Sequence, residues 1–145
     1  MRKTTAGRIL AVQALYQWDL HGEAFLKDLP DFLRSSADDA EVIALAEDLF
    51  HGCVERRVQV DASLAAAAEH WDLARMAAVD RAILRLGAHE LLNRPELPPK
   101  VAIDEAIRIA KKFSTAESGA FVNGILDRIM ATLPPRTGAA PEKES

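Results

Sequence analysis

Residues 120–127 read Ala-Phe-Val-Asn-Gly-Ile-Leu-Asp. An Asn-Gly pair between apolar residues is a strong hairpin signal, because both residues tolerate the positive φ of a type I′ turn. A hairpin here requires a sheet, whereas a helix leaves the glycine to be explained. Spacing decides between them. Val122, Ile125, Leu126, Ile129, Met130 and Leu133 recur at i, i+3, i+4, i+7, i+8 and i+11, the period of a helical stripe. Strand alternation fails, since Ile125-Leu126 is followed by Asp127-Arg128. Ser114-Thr-Ala-Glu117 has capping-box spacing and predicts where this helix starts.

Gly124 then lies inside a helix, at a cost of about 1 kcal/mol relative to alanine. On a helical wheel it falls opposite the apolar stripe, beside Phe121 and Arg128, so core packing does not explain it. Two readings stand. It is a tolerated flaw, or it lets a second backbone approach a face that carries Phe121 with Lys111 and Lys112 nearby. Asn123 can bond Asp127 one turn on.

The preceding segments repeat the helical pattern. Pro98-Pro99 opens a helix over 99–113 with Ile103, Ala106, Ile107 and Ala110 on its apolar side. Residues 73–92 place Met76, Val79, Ile83, Leu86, Gly87 and Leu91 on one stripe, and Pro95 ends that helix. Asp80 and Glu90 fall within the same apolar sector. A carboxylate there must be paired, hydrogen-bonded or at a partner surface. This makes Asp80 and Glu90 candidate partner contacts, with a salt bridge to Arg81 or Arg85 as the alternative.

Residues 40–69 stay helical, with a break expected near His51-Gly52. A short helix is expected over 23–34 and a loop over 34–40. The first helix, capped by Thr4 or Thr5, carries Ile9, Val12, Tyr16 and Leu20 and ends at His21-Gly22. From Pro134 to Ser145 there is no periodicity, which predicts a disordered tail after a helical domain of residues 1–133.

Composition agrees with an all-α fold: the 145 residues are 49% hydrophobic but only 6% aromatic. The length fits one domain. No apolar run is long enough to cross a bilayer, and one cysteine, Cys53, excludes an internal disulfide; a cytoplasmic setting is expected. The net charge of −4 is uneven. Residues 1–18 hold Arg2, Lys3 and Arg8 and no acid, whereas residues 19–48 hold nine acids against Lys27 and Arg34. The distribution fits a mixed solvated surface, or a basic strip that meets a polyanion.

No phosphate-binding glycine loop, Cys-x-x-Cys or His-Glu-x-x-His is present. His51 and Cys53 point to different sides of a helix, and His21, His70 and His89 are scattered, so no metal site or cofactor is expected. No catalytic constellation emerges, and the chain is not expected to be an enzyme.

Three stretches together resemble the NusB family of bacterial transcription antitermination factors. They are Arg8-Ile-Leu-Ala-Val-Gln-Ala-Leu-Tyr16, Val79-Asp-Arg-Ala-Ile-Leu-Arg-Leu-Gly-Ala-His-Glu-Leu91, and Pro99-Lys-Val-Ala-Ile-Asp-Glu-Ala-Ile-Arg-Ile-Ala-Lys-Lys-Phe113 running into Phe121-Val-Asn-Gly-Ile-Leu-Asp127. The resemblance implies six to seven helices in two small sub-bundles. It also implies binding of boxA-type single-stranded RNA in nascent ribosomal RNA transcripts, together with the ribosomal protein NusE. The pair would join elongating RNA polymerase with other Nus factors and suppress premature termination. Many members carry a denser N-terminal arginine cluster; here Thr4, Thr5 and Ala6 separate the cations, so fewer phosphate contacts and a larger share for the partner are expected. On this reading Arg2, Lys3 and Arg8 contact phosphates, Lys111, Lys112 and Phe121 extend the surface, and Gly124 admits the strand. The rival is a protein-binding scaffold or homodimer that does not touch RNA.

Overall fold

The computed structural model describes residues 1–69 and 71–135, and every regular element among them is helical. In chain order they are α1 (Lys3–His21), α2 (Leu29–Ser36), α3 (Ala40–Glu55), α4 (Arg57–Ala67), α5 (Ala78–Asn93), α6 (Pro99–Phe113) and α7 (Ala116–Ala131). Short 3₁₀ turns occupy Gly22–Asp28 and Leu73–Arg75. α1, α2 and α3 pack as one sub-bundle and α4 to α7 as a second, joined mainly by α1 lying on α5. Residue 70 and residues 136–145 lie outside the description, and with them His70 and most of the tail expected over 134–145.

The helix through the Asn-Gly pair is confirmed. Val122, Ile125, Leu126 and Ile129 are buried, while Gly124 faces out. Its start differs by one residue from the expected capping box. Thr115 is the cap and its hydroxyl accepts the Ser118 amide at 3.1 Å, while Ser114 meets only the Ser118 hydroxyl at 2.9 Å. The 99–113 helix has its expected bounds.

Other expectations need correction. The first helix begins at Lys3, ahead of the expected Thr4 or Thr5 cap, with Arg2 at the cap position and no side-chain cap. On its far end Tyr16 and Leu20 stay exposed, while Ala11, Ala14 and Leu15 are buried instead. The expected 73–92 helix starts only at Ala78, and Met76 belongs to the preceding turn. The expected 23–34 helix is a 3₁₀ turn followed by α2. The break expected at His51-Gly52 falls at Arg56. Gly52 is instead buried mid-helix, where the His89 ring of α5 occupies the place of a side chain: a Cβ there would overlap the ring. The glycine thus reports a close helix crossing, not a stop. Gly22, at φ 69°, does end α1 as expected.

Candidate nucleic-acid and partner interface

α1 lies against α5, and buried acids of α5 and α6 organise its start. Arg8 is 1% exposed. Its guanidinium donates to both carboxylate oxygens of Glu90, from Nε at 2.8 Å and from Nη2 at 2.9 Å, and to Glu105 at 3.2 Å. Arg94 donates to Glu90 at 2.6 Å, and the Thr5 hydroxyl donates to Glu105 at 2.5 Å. Arg2 and Arg108 approach Glu105 from the surface at 3.5 and 3.1 Å. Buried charges of both signs can sit here because each compensates the other in charge-assisted hydrogen bonds.

This network corrects two expectations. Arg8 cannot meet a phosphate without leaving a buried carboxylate unpaired, and Glu90 cannot meet a partner. Glu105 is a residue that sequence reasoning misses, although it falls on the buried side of α6 beside Ala102, Ala106 and Ile109. That spacing is the available signal.

Asp80 is also buried, 5% exposed. Neither Arg81 nor Arg85 takes it. Arg81 and Arg85 turn to Asp19 of α1, and Arg85 bonds Asp61 of α4 at 2.9 Å. Burial pushes the Asp19 carboxyl up, but the bonds and charges of Arg81 and Arg85 outweigh it and hold Asp19 below its ordinary range. Arg81 also donates to the carbonyls of Leu73 at 3.0 Å and Met76 at 3.1 Å, which fixes the turn between α4 and α5. Asp80 Oδ2 accepts the Ser118 hydroxyl at 3.0 Å. Its Oδ1 has no hydrogen-bond partner among the described residues.

The remaining candidates lie at the surface. Lys111 and Lys112 are exposed at the end of α6, where their charge also suits the negative end of that helix. Lys111 runs beside Gly119 of α7, its Cγ 3.5 Å from the position a Cβ would take there. Gly124 is open: a Cβ on it would meet nothing within 4 Å. Phe121 is half-buried and stacks obliquely on Trp71, ring centroids 5.9 Å apart. Sequence reasoning does not single out Trp71, which is 45% exposed. Arg2 and Lys3 occupy the start of α1, and Lys3 pairs with Asp39 at 3.3 Å and Glu41 at 3.4 Å. The hydrogen bond and charge of Asp39 hold its ammonium above the ordinary lysine value.

A second surface is apolar. Between α1, α2, α5 and the end of α6 lies an open groove of about 450 Å³ lined by Ile9, Val12, Tyr16, Phe32, Val79 and Phe113, with Gln13, Gln17 and Ser36 at its rim. Tyr16 is 36% and Phe113 is 42% exposed. Helical spacing assigns Tyr16 to the core; the structure leaves it outside.

Among the described residues no group of His, Cys, Asp and Glu is arranged to hold a metal ion, and no helix is long and apolar enough to cross a membrane. Cys53 is buried, and desolvation raises its thiol well above the ordinary value, which leaves it unreactive.

A family model described as the NusB family matches residues 5–131. The transcription antitermination protein NusB of Sorangium cellulosum is 43% identical over 133 residues, spanning 92% of this chain and 95% of that protein. The namesake protein of Geobacter sulfurreducens is 44% identical over 134 residues, spanning 88% and 94%. Among solved structures, T. maritima NusB superposes with a TM-score of 0.77 at 36% identity, covering 91% of this chain and 93% of that one. A chain from the complex of antitermination factors NusB and NusE with double-stranded RNA superposes with a TM-score of 0.80 at 26% identity, covering 92% and 99%.

Proposed function

The chain belongs to the NusB family, and on that premise we propose that it is a transcription antitermination factor acting in the cytoplasm. It binds boxA-type single-stranded RNA of nascent ribosomal RNA transcripts jointly with NusE and enters the RNA polymerase elongation complex with other Nus factors. It performs no chemistry of its own.

One observation carries the RNA half of this reading: the outward face of α7 is open at Gly124, with Phe121 against Trp71 along one edge and Lys111 of α6 beside Gly119 along the other. A single strand needs cations for its phosphates and an aromatic face for an unstacked base. Arg2 and Lys3 add charge at the start of α1. Arg8 acts indirectly, by holding that start in place through Glu90 and Glu105.

For the protein partner, the burial of Glu90 and Asp80 moves the contact to the groove between Tyr16 and Phe113. Exposed aromatics over an apolar floor are the usual core of a protein interface. The groove equally suits a second copy of the chain, which would then compete with NusE for it.

A salt series tests the reading. Binding of a labelled boxA-type RNA is measured with and without NusE from about 50 to about 300 mM salt, a span over which phosphate contacts change affinity by orders of magnitude. The expected result is weak, steeply salt-dependent binding that NusE tightens at least tenfold. Binding that ignores both salt and NusE would refute it.

A further inference from the structure

The turn that leads into α5 has little apolar area to hold it. None of Leu73, Ala74 and Arg75 is buried. Its local bonds close it only on itself: Asp72 Oδ1 accepts the Ala74 amide at 3.0 Å, and the Leu73 carbonyl accepts the Met76 amide at 3.3 Å. A single guanidinium ties it to α5. Arg81 Nη1 donates to the carbonyls of Leu73 at 3.0 Å, Ala74 at 3.3 Å and Met76 at 3.1 Å.

That guanidinium is aimed from another helix. Its other edge forks onto Asp19 near the end of α1: Nη2 donates to Oδ2, and Nε donates to Oδ1 at 3.2 Å. A planar fork fixed at two points leaves one direction for its third nitrogen, and here that direction is the turn. The Asp19 and Arg81 side chains are only 13% and 15% exposed, so water competes weakly for either. The carboxylate is itself held in place. Its Oδ1 also accepts Arg85 Nη1 at 2.8 Å, and Arg85 is fixed in turn by Asp61 and by the Trp18 ring 5.4 Å beneath it. Just ahead of the turn stands Trp71, with its ring centroid 5.9 Å from that of Phe121. A ring this exposed keeps its angle only as well as the backbone beneath it.

We propose that Asp19 is a positioning residue for the RNA face: through Arg81 it fixes the turn at Leu73–Met76 and so holds Trp71 against Phe121 at an angle on which a base can stack. Asp19 touches no ligand. It belongs to the sub-bundle of α1, α2 and α3, whereas the aromatic pair it sets belongs to the other, so the face of one half is tuned from the second. This role rests on the RNA-binding reading above. The expected effect runs against simple charge. Removing a carboxylate makes the chain less negative, which by itself favours a polyanion, whereas loss of the brace weakens binding.

Fluorotryptophan labelling of the full chain gives one fluorine resonance for each of the two tryptophans, Trp18 and Trp71, assigned with Trp71→Phe. Spectra of the free chain are recorded beside anisotropy titrations of a labelled boxA-type RNA with the chain and NusE, for wild type, Asp19→Asn, Arg81→Lys and Asp61→Asn. Asparagine offers the guanidinium one acceptor in place of two, and lysine puts a point charge where the fork was. Both should shift the Trp71 resonance and weaken RNA binding about three- to tenfold, part of what one base–aromatic stack contributes, with the salt slope of the wild type. Asp61→Asn removes the same charge from the same network but leaves Arg81 on the turn, and should do neither. Arg81→Lys keeps the test decisive if Asp19→Asn fails to fold. A Trp71 resonance unmoved in the braceless variants overturns the role while the RNA reading stands. An equal loss of RNA affinity in Asp61→Asn also overturns it, as general loosening. So does unchanged or tighter RNA binding by Asp19→Asn, the latter being the effect of charge alone. Wild-type protein that binds no RNA overturns the reading and the role together.

Discussion

Arg8 of α1 and Glu90 of α5, 82 positions apart in sequence, face each other in a two-point ion pair at 2.8 and 2.9 Å, with each side chain only 1% exposed. The pair ties the first helix of one sub-bundle to the central helix of the other. Removing one member strands a charge in the interior, which costs about 3–5 kcal/mol. Arg8→Ala is therefore expected to lower unfolding stability in urea by about that amount. At temperatures where the variant stays folded, the slope of RNA affinity against salt should match the wild type. A shallower slope with unchanged stability would mean that Arg8 meets phosphate after all.

Two glycines give opposite predictions. A methyl group at Gly52 overlaps the His89 ring, which Asn93 holds at 3.1 Å, so Gly52→Ala should destabilise by about 1–3 kcal/mol. A methyl group at Gly124 meets nothing, so Gly124→Ala should stabilise by about 1 kcal/mol through helix propensity. If the strand lies across α7, the same substitution lowers RNA affinity. Thermal melts and RNA titrations on the same preparation separate the two effects.

Acid sensitivity follows from His89 and Asp19. Desolvation, with Arg56 and Arg94 nearby, holds the His89 pKa below its ordinary 6.5 despite Glu90 and Asp48. The unfolded chain then binds the extra proton first. The stability that His89 contributes is complete above pH 6.5 and is lost as pH falls through its lowered folded value. Asp19, also lowered, acts in a more acidic window: its contribution is present above the ordinary 3.8 and lost as pH falls below it. Melting temperature should decline as pH falls below 6.5, and His89→Gln should flatten that decline without altering the further loss below 3.8.

The two proposed surfaces should respond separately. Replacing Lys111 and Lys112 together by alanine removes two exposed cations and should reduce the salt slope of RNA binding by about 0.7 for each phosphate left without a cation. Lys111→Ala alone should leave NusE capture unaffected, whereas the Lys112 ammonium lies 5.5 Å over the Phe113 ring of the groove and its loss is expected to weaken capture slightly. Phe113→Ser, in the groove, should weaken NusE capture at least tenfold, as expected for an aromatic anchor, and leave RNA binding without NusE unchanged. Pull-down and anisotropy on both variants check this crossing.

How much of this is legible in the sequence depends on the kind of signal. Periodicity locates α6 and α7 well, because Ile103 or Val122 must face a core whatever else the helix does. It misplaces the break in the middle of the chain, because a glycine that ends a helix and a glycine that admits a neighbouring ring look alike until the neighbour is known. Asp80 and Glu90 stand out in sequence as acids in an apolar sector. Their partners, Ser118 and Arg8, lie 38 and 82 positions away, and no spacing rule reaches that far. Arg8 misleads for the same reason: a cation among cations reads as surface when its two carboxylates are remote. Tyr16 shows the converse, since it keeps the helical spacing of a core residue but sits where no described element of the chain covers it.

Photo-crosslinking tests the central claim most directly. A boxA-type RNA carrying 4-thiouridine is irradiated with the full chain and NusE, and the attached peptides are read by mass spectrometry. The account predicts adducts on the α6–α7 face, at Lys111, Lys112, Phe121 and the neighbouring Trp71, with none in the Tyr16–Phe113 groove that NusE covers. Adducts confined to that groove or to the acidic segment 19–48 would contradict it.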